Sequence, residues 1–266
     1  MNMFPVLAIV AVLSGLLVCV GCSPANDWGS VTVTESNGEF EVVLENDLIL
    51  ARYTPADTGG LIKDRITEFR LKKDNAVIAT KLDGRHADKN TAFFRMSDAE
   101  IESETPDRKT VRLVFAQRIE HVSILRGLPV LEIRYEQGKH NLDYGIKGRK
   151  FVMYGEDEWQ GLNKWEAKHP QLRDEVTEAG SYYRSNWFGP GPLSYNGWMI
   201  LGVCSRRTGY GVGLLLPANQ VRWLKLVGTG FERWMTGPHT AYLYACSGGP
   251  EQLLSLGKQL ADTAPK

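Results

Sequence analysis

The chain has 266 residues, and its 31 Lys and Arg are balanced by 31 Asp and Glu. A net charge of zero excludes a protein that works by gripping a polyanion, so no nucleic-acid partner is expected. Hydrophobic content of 43% beside 23% charged residues excludes a disordered chain, and 27 Gly without a three-residue period exclude a collagen-like one.

Residues Phe4 to Cys22 carry no charge, and the run Val6 to Val18 has the character of a signal h-region. It ends in Cys19-Val20-Gly21-Cys22-Ser23. This resembles a bacterial lipoprotein signal, in which a small residue precedes a Cys that is lipidated and becomes the mature N-terminus. The resemblance implies a signal segment over 1–22, lipidation at Cys22, a tether over 23–30 and one domain over 31–266. An uncleaved anchor is the alternative, since about 20 apolar residues can span a bilayer. Both readings place the domain outside the cytoplasm, in the periplasm or cell envelope, with the membrane as a partner through the N-terminus.

From Val31 the dominant period is two. Phe40, Val42 and Leu44 alternate with Glu39 and Glu41, and Leu131-Glu-Ile-Arg-Tyr135 alternates cleanly, as strands with one buried face do. Val111–Phe115 behaves in the same way. Further strands are predicted over Leu48–Tyr53, Leu61–Leu71, Ala92–Met96, Ile119–Leu125, Lys150–Tyr154, Trp198–Cys204, Gly211–Leu216, Val221–Val227 and Thr240–Cys246. Turn signals at Asn46-Asp47, Gly59-Gly60, Asp74-Asn75, Pro106-Asp107 and Gly127–Pro129 separate them. So many short strands without intervening helices predict an all-β fold, an antiparallel sandwich or barrel. One helix is predicted at the end. Gly249-Pro250-Glu251 opens it, and Leu253, Leu254, Gly257, Leu260 and Ala261 recur at helical spacing.

Between Tyr154 and Trp198 the periodicity fails, while Trp159, Trp165, Tyr182, Tyr183, Trp187, Phe188 and Tyr195 crowd the segment. So many aromatics argue for order. The expectation is an aromatic-rich loop over 155–196, lying on one face of the sheet, with a short helix near Pro170–Glu178. Cys204 and Cys246 lie in apolar strand-like runs, where they either form a disulfide or pack as small buried residues.

Asn37 to Tyr53 followed by Gly59-Gly60-Leu-Ile resembles the start of galactose-mutarotase-like β-supersandwich domains. The pair Val111–Arg126 and Pro129–Glu136, running into Gly138-Lys-His-Asn141, is similar to the centre of that superfamily. The resemblance implies an antiparallel β-supersandwich with one C-terminal helix. It further implies a protein that binds or acts on carbohydrate, with aldose epimerases using a His acid and a Glu base among its members. Arg85 and His86 sit in an early loop, roughly where mutarotases place a sugar-contacting His.

Candidate catalytic residues follow from chemistry. His140 stands in a polar turn and titrates near neutrality, so it can move a hydroxyl proton. Glu156 and Glu158 crowd Asp157 beside Trp159, and close like charges raise one carboxyl pKa. His121 shares a face with Ser123; it points at ligand if that face is concave, and makes a cross-strand surface contact if it is not. His239 shares its phase with Ala241, Leu243 and Ala245, which predicts a buried, satisfied imidazole. For ligand binding, Trp159, Trp165, Tyr183 and Trp187 can stack on a pyranose, while Arg184 and Asn186 can bond its hydroxyls. The motifs G-x-S-x-G, H-E-x-x-H and the phosphate-binding loop do not occur, nor does a zinc spacing of Cys, so no cofactor or metal is expected. The leading expectation is a lipid-anchored carbohydrate-binding protein. The alternatives are a sugar epimerase or a uronate lyase (with Arg184 or Arg233 neutralising the carboxylate), and a structural envelope lipoprotein.

Overall fold

The structure, a computed structural model, describes residues 28–54, 65–84, 96–115, 118–137, 147–153, 165–168, 181–183, 187–190, 193–205, 209–227, 230–235 and 237–265. The signal segment, Cys22 and most of the tether lie outside these residues, as does the helix expected near Pro170–Glu178. No helix among the described residues is long and apolar enough to cross a membrane.

In chain order the strands are β1 (Gly29–Ser36), β2 (Glu39–Asn46), β3 (Ile49–Thr54), β4 (Arg65–Leu71), β5 (Ala76–Gly84), β6 (Met96–Glu104), β7 (Arg108–Phe115), β8 (Arg118–Leu125), β9 (Val130–Gln137) and β10 (Lys147–Met153). They continue with β11 (Trp165–Lys168), β12 (Ser181–Tyr183), β13 (Trp187–Pro190), β14 (Leu193–Tyr195), β15 (Trp198–Ser205), β16 (Gly211–Pro217), β17 (Val221–Val227), β18 (Gly230–Met235) and β19 (His239–Cys246). One helix, α1 (Gly249–Thr263), follows. The strands form a nine-stranded sheet, β1-β2-β3-β4-β5-β10-β18-β17-β11, and a ten-stranded sheet, β12-β13-β15-β16-β19-β9-β8-β7-β6, with β14 added on β15. The pairing is antiparallel throughout. The expected all-β antiparallel sandwich with one C-terminal helix is therefore the observed architecture.

Alternation builds the space between the sheets. Val42, Leu44, Ala51 and Phe69 of one sheet and Val111, Leu113, Val122, Ile124, Leu131 and Ile133 of the other belong to one buried cluster. Each Val, Leu, Ile or Phe side chain among them contributes about 1.5–3 kcal/mol by leaving water. One turn adds a polar clamp. Asn46 ends β2, and its Oδ1 accepts from the backbone N–H of Leu48 and of Ile49, both at 2.8 Å. Its Nδ2 donates to the carbonyls of Leu125 and Leu128 at 2.8 and 2.9 Å, across to the β8–β9 turn. All four hydrogen-bonding positions of the amide are thus used, and the two sheets are tied at this end.

A second, smaller core lies on the outer side of the ten-stranded sheet. There α1 lays Leu253, Leu260 and Ala261 on Ile200, Leu215, Tyr242 and Tyr244. The predicted helical face is the buried one, with Leu254 half-buried at its margin. The Tyr244 ring lies over Gly213 and reaches Gly257 of the helix; a Cβ on either glycine would collide with it.

Several elements differ from the sequence reading. Segment 155–196 contributes strands in its described parts. β11 closes one edge of the nine-stranded sheet and β12 one edge of the ten-stranded sheet, so Trp165, Tyr182 and Tyr183 stand on edge strands. Short pairings of three or four residues leave too few positions for a period to show. β6 was foreseen only to Met96. Its remaining residues are mostly exposed on both faces, as an edge strand permits, and polarity there masks the alternation.

Cys204 and Cys246 are both buried and reduced. Each is the register partner of Gly211, one strand away on either side. With strands about 4.8 Å apart, their Cα atoms stand about 10 Å from one another, beyond the roughly 4.4–6.8 Å of a disulfide.

Candidate functional site

The two ends of the sandwich differ. At the end opposite the Asn46 clamp the chain changes sheet repeatedly. Residues 85–95 join β5 to β6, residues 138–146 join β9 to β10, Ala218–Gln220 join β16 to β17, and residues 236–238 join β18 to β19. Beneath these crossovers the inner face of the ten-stranded sheet stops being apolar. Glu120 follows the phase of Val122 and Ile124 and is therefore turned inward. In register it faces Leu113 on one side and Tyr135 on the other, and Tyr135 faces His239. A carboxylate, a phenol and an imidazole thus form one row across β8, β9 and β19, at 0%, 1% and 6% exposure.

A carboxylate held out of water is costly unless it is compensated, so such a group inside an otherwise apolar face marks a site more often than it marks stability. Each member of the row engages a further polar or ring partner. Within the row, the Tyr135 and His239 rings lie 4.6 Å apart, tilted by 32°. His239 Nδ1 donates to the Gly237 carbonyl at 2.9 Å. That bond places the proton on Nδ1, and the neutral ring then presents Nε2 as an acceptor. Tyr53, at the same end of the facing sheet, is also buried. Carboxylate, phenol and an oriented imidazole can together bond neighbouring hydroxyls or move a proton.

His121 lies on the opposite, outer face of the same strand. Its Nδ1 is 2.7 Å from Glu102 Oε2, and its Nε2 is 3.4 Å from Glu136 Oε2. Arg112 bonds Glu100 at 3.0 Å and Arg134 bonds Glu136 at 2.8 Å, so the outer face of β6 to β9 is a ladder of alternating charge. His121 therefore makes the cross-strand contact, and the inner row lies on the far side of its own strand. Among the described residues no group of three or more His, Cys, Asp and Glu could hold a metal ion.

Of the other candidates, Arg85, His86, His140, Glu156, Glu158, Trp159, Arg184 and Asn186 lie outside the described residues. Arg85 and His86 belong to the β5–β6 crossover and His140 to the β9–β10 crossover, the latter following directly on the strand that carries Tyr135. Trp165, Tyr183 and Trp187 are placed by their backbones on β11, β12 and β13. The sequence reading missed Glu120 and Tyr135 as site residues. The signal is in the strand itself: Glu120 shares its parity with Val122 and Ile124, the opposite parity to His121 and Ser123.

No protein-family model matches the chain, and no curated protein matches it. Solved structures do resemble it. A glycoside hydrolase of family 81 from Clostridium thermocellum aligns with 88% of this chain at 12% identity and a TM-score of 0.40, over 24% of its own length. A candidate aldose 1-epimerase from Klebsiella pneumoniae aligns with 90% of this chain and 88% of its own, at 7% identity and a TM-score of 0.46. A GH36 alpha-galactosidase from Geobacillus stearothermophilus aligns with 83% of this chain and 41% of its own, at 9% identity and a TM-score of 0.33. The chain spans about a quarter of the length of the first of these. Likeness this remote assigns no activity, so function has to be argued from the row itself.

Proposed function

We propose that the protein binds carbohydrate at the crossover end of the sandwich and is held on the outer side of a membrane by lipid on Cys22. The observation that carries the binding site is the row Glu120–Tyr135–His239, set into an otherwise apolar inner face. A sugar offers adjacent hydroxyls and an apolar C–H face, and the row answers with a carboxylate acceptor, an imidazole acceptor and an aromatic surface. Saturation-transfer NMR with a panel of mono- and oligosaccharides tests it. At least one sugar is expected to respond, with the response lost at least tenfold in Glu120→Gln and in His239→Gln. No response across the panel, or a response that survives both substitutions, overturns the reading. The anchor is tested separately. Cys22→Ser is expected to move the protein from the membrane to the soluble fraction, and retention in the membrane refutes lipid at that position.

The oriented His239 favours a second reading, a sugar epimerase. With Nδ1 donating to the Gly237 carbonyl, the basic lone pair of the neutral ring is on Nε2, and the ring stands beside the Tyr135 phenol. Proton NMR of freshly dissolved aldose anomers would show their interconversion accelerated by the protein, and His239→Gln would remove the acceleration. Unchanged interconversion in the presence of the native protein leaves binding alone.

A further inference from the structure

The second core holds a polar group with no assigned task. The Tyr244 hydroxyl is fully buried and has no hydrogen-bond partner among the described residues. It sits where β19 meets α1, close against Gly257. Two residues further along the same face of β19 is Cys246, buried with Cys204 in the same cluster. Gly211, between the two cysteines in register, has no side chain to separate them. The Cys246 sulfur also lies 3.5 Å from the Gly249 carbonyl, at the first turn of α1.

We infer that Cys204 and Cys246 form a two-thiolate site for a soft monovalent d10 cation, Cu(I) in biology, with Tyr244 donating its hydroxyl proton to a bound thiolate. The geometry suits this ion. The backbones are too far apart for a direct S–S bond, yet an ion between the sulfurs adds two metal–sulfur bonds of about 2.3 Å to the span. Thiolate pairs select Cu(I) over harder ions, and among the described residues no third His, Cys, Asp or Glu joins the pair to complete a zinc or calcium shell. Binding replaces two thiol protons with the cation, which leaves one negative charge in the core and releases two protons to solvent. That charge sits in the cluster that holds Tyr244, beside the first turn of α1 and the positive end of its dipole. Gly248 is exposed and Ser247 half-buried, so the Cys246 end of β19 lies near the surface.

The test uses the full chain with Cys19 and Cys22 replaced by Ser, which leaves Cys204 and Cys246 as its only thiols. Cu(I) is titrated against a chromophoric chelator, and Ag(I) is followed by native mass spectrometry. One ion per chain is expected, with affinity reduced at least a hundredfold in Cys204→Ala and in Cys246→Ala. Tyr244→Phe should retain the one-to-one stoichiometry and weaken binding about tenfold, the scale of a hydrogen bond to a charged group. No uptake by the native protein, or uptake unaffected by either alanine, overturns the site. Should the alanine variants fail to fold by circular dichroism, X-ray absorption of the Cu(I)-loaded protein decides. Two sulfur neighbours sustain the proposal, and any other coordination refutes it.

Discussion

The two ends of the sandwich solve the burial of polar atoms in opposite ways. At one end Asn46 is 1% exposed, and all four of its bonds go to backbone groups of two turns. At the other, Glu120, Tyr135 and His239 are equally buried, but their neighbours in the row are other side chains. A polar side chain saturated by backbone groups can do nothing except hold them. One set among groups that donate, accept and change charge can hold a ligand. The contrast teaches that buried polarity is read by its partners.

The sharpest way to break this comparison is at the clamp. Asn46→Ala leaves two N–H groups and two carbonyls without their partner, and should cost about 3–5 kcal/mol in urea unfolding. A loss near 1 kcal/mol would show that water replaces the amide and that this end is not the rigid one. Glu120→Gln should act in the other direction. The amide keeps the shape and one acceptor, so stability should change by about 1 kcal/mol or less while sugar response is lost. A cost as large as that of Asn46→Ala would make Glu120 a structural residue and remove it from the site.

The outer ladder supplies a still smaller effect. Glu102 and Glu136 are partly exposed beside His121, so His121→Gln should cost about 0–1 kcal/mol and leave sugar response unchanged. Loss of that response would mean that the two faces of β8 are coupled. Least of all, Tyr242 gives an alkaline signature. Burial first, then the Glu132 carboxylate, raises its phenol pKa above the ordinary 10.0. The folded protein therefore keeps a proton that the unfolded chain has lost. Its stabilising contribution is complete below pH 10.0 and fades as pH climbs through the raised folded value. Tyr242→Phe should flatten that alkaline decline in a pH series of unfolding midpoints; an unaltered slope would assign it elsewhere.

Much of the fold was legible because the inner strands carry one apolar phase each. Val111, Leu113 and Phe115, or Leu131, Ile133 and Tyr135, announce both the strand and its buried face. The helix was legible from Pro250 and the spacing of Leu253, Gly257 and Leu260, and His239 from the small apolar residues that share its phase. β18 was not foreseen, because Gly230-Phe-Glu-Arg-Trp-Met235 mixes charge and aromatic residues without a period. β5 was not foreseen either. The site was legible only in fragments. Its members stand at positions 120, 135 and 239, and nothing in the spacing says that β8, β9 and β19 are neighbours; only the strand order joins them.

The charged ladder has a consequence for how copies of the protein meet. β6 is an outermost strand, so its unpaired backbone edge could template a second chain, and Ile101 on it is 47% exposed. Yet Asp98, Glu100, Glu102 and Glu104 alternate along that strand. Zipping two such borders together would bring anion against anion at every other step. This repulsion keeps the molecules apart, and replacing those four acids with their neutral amides would be the change that lets them fuse edge to edge.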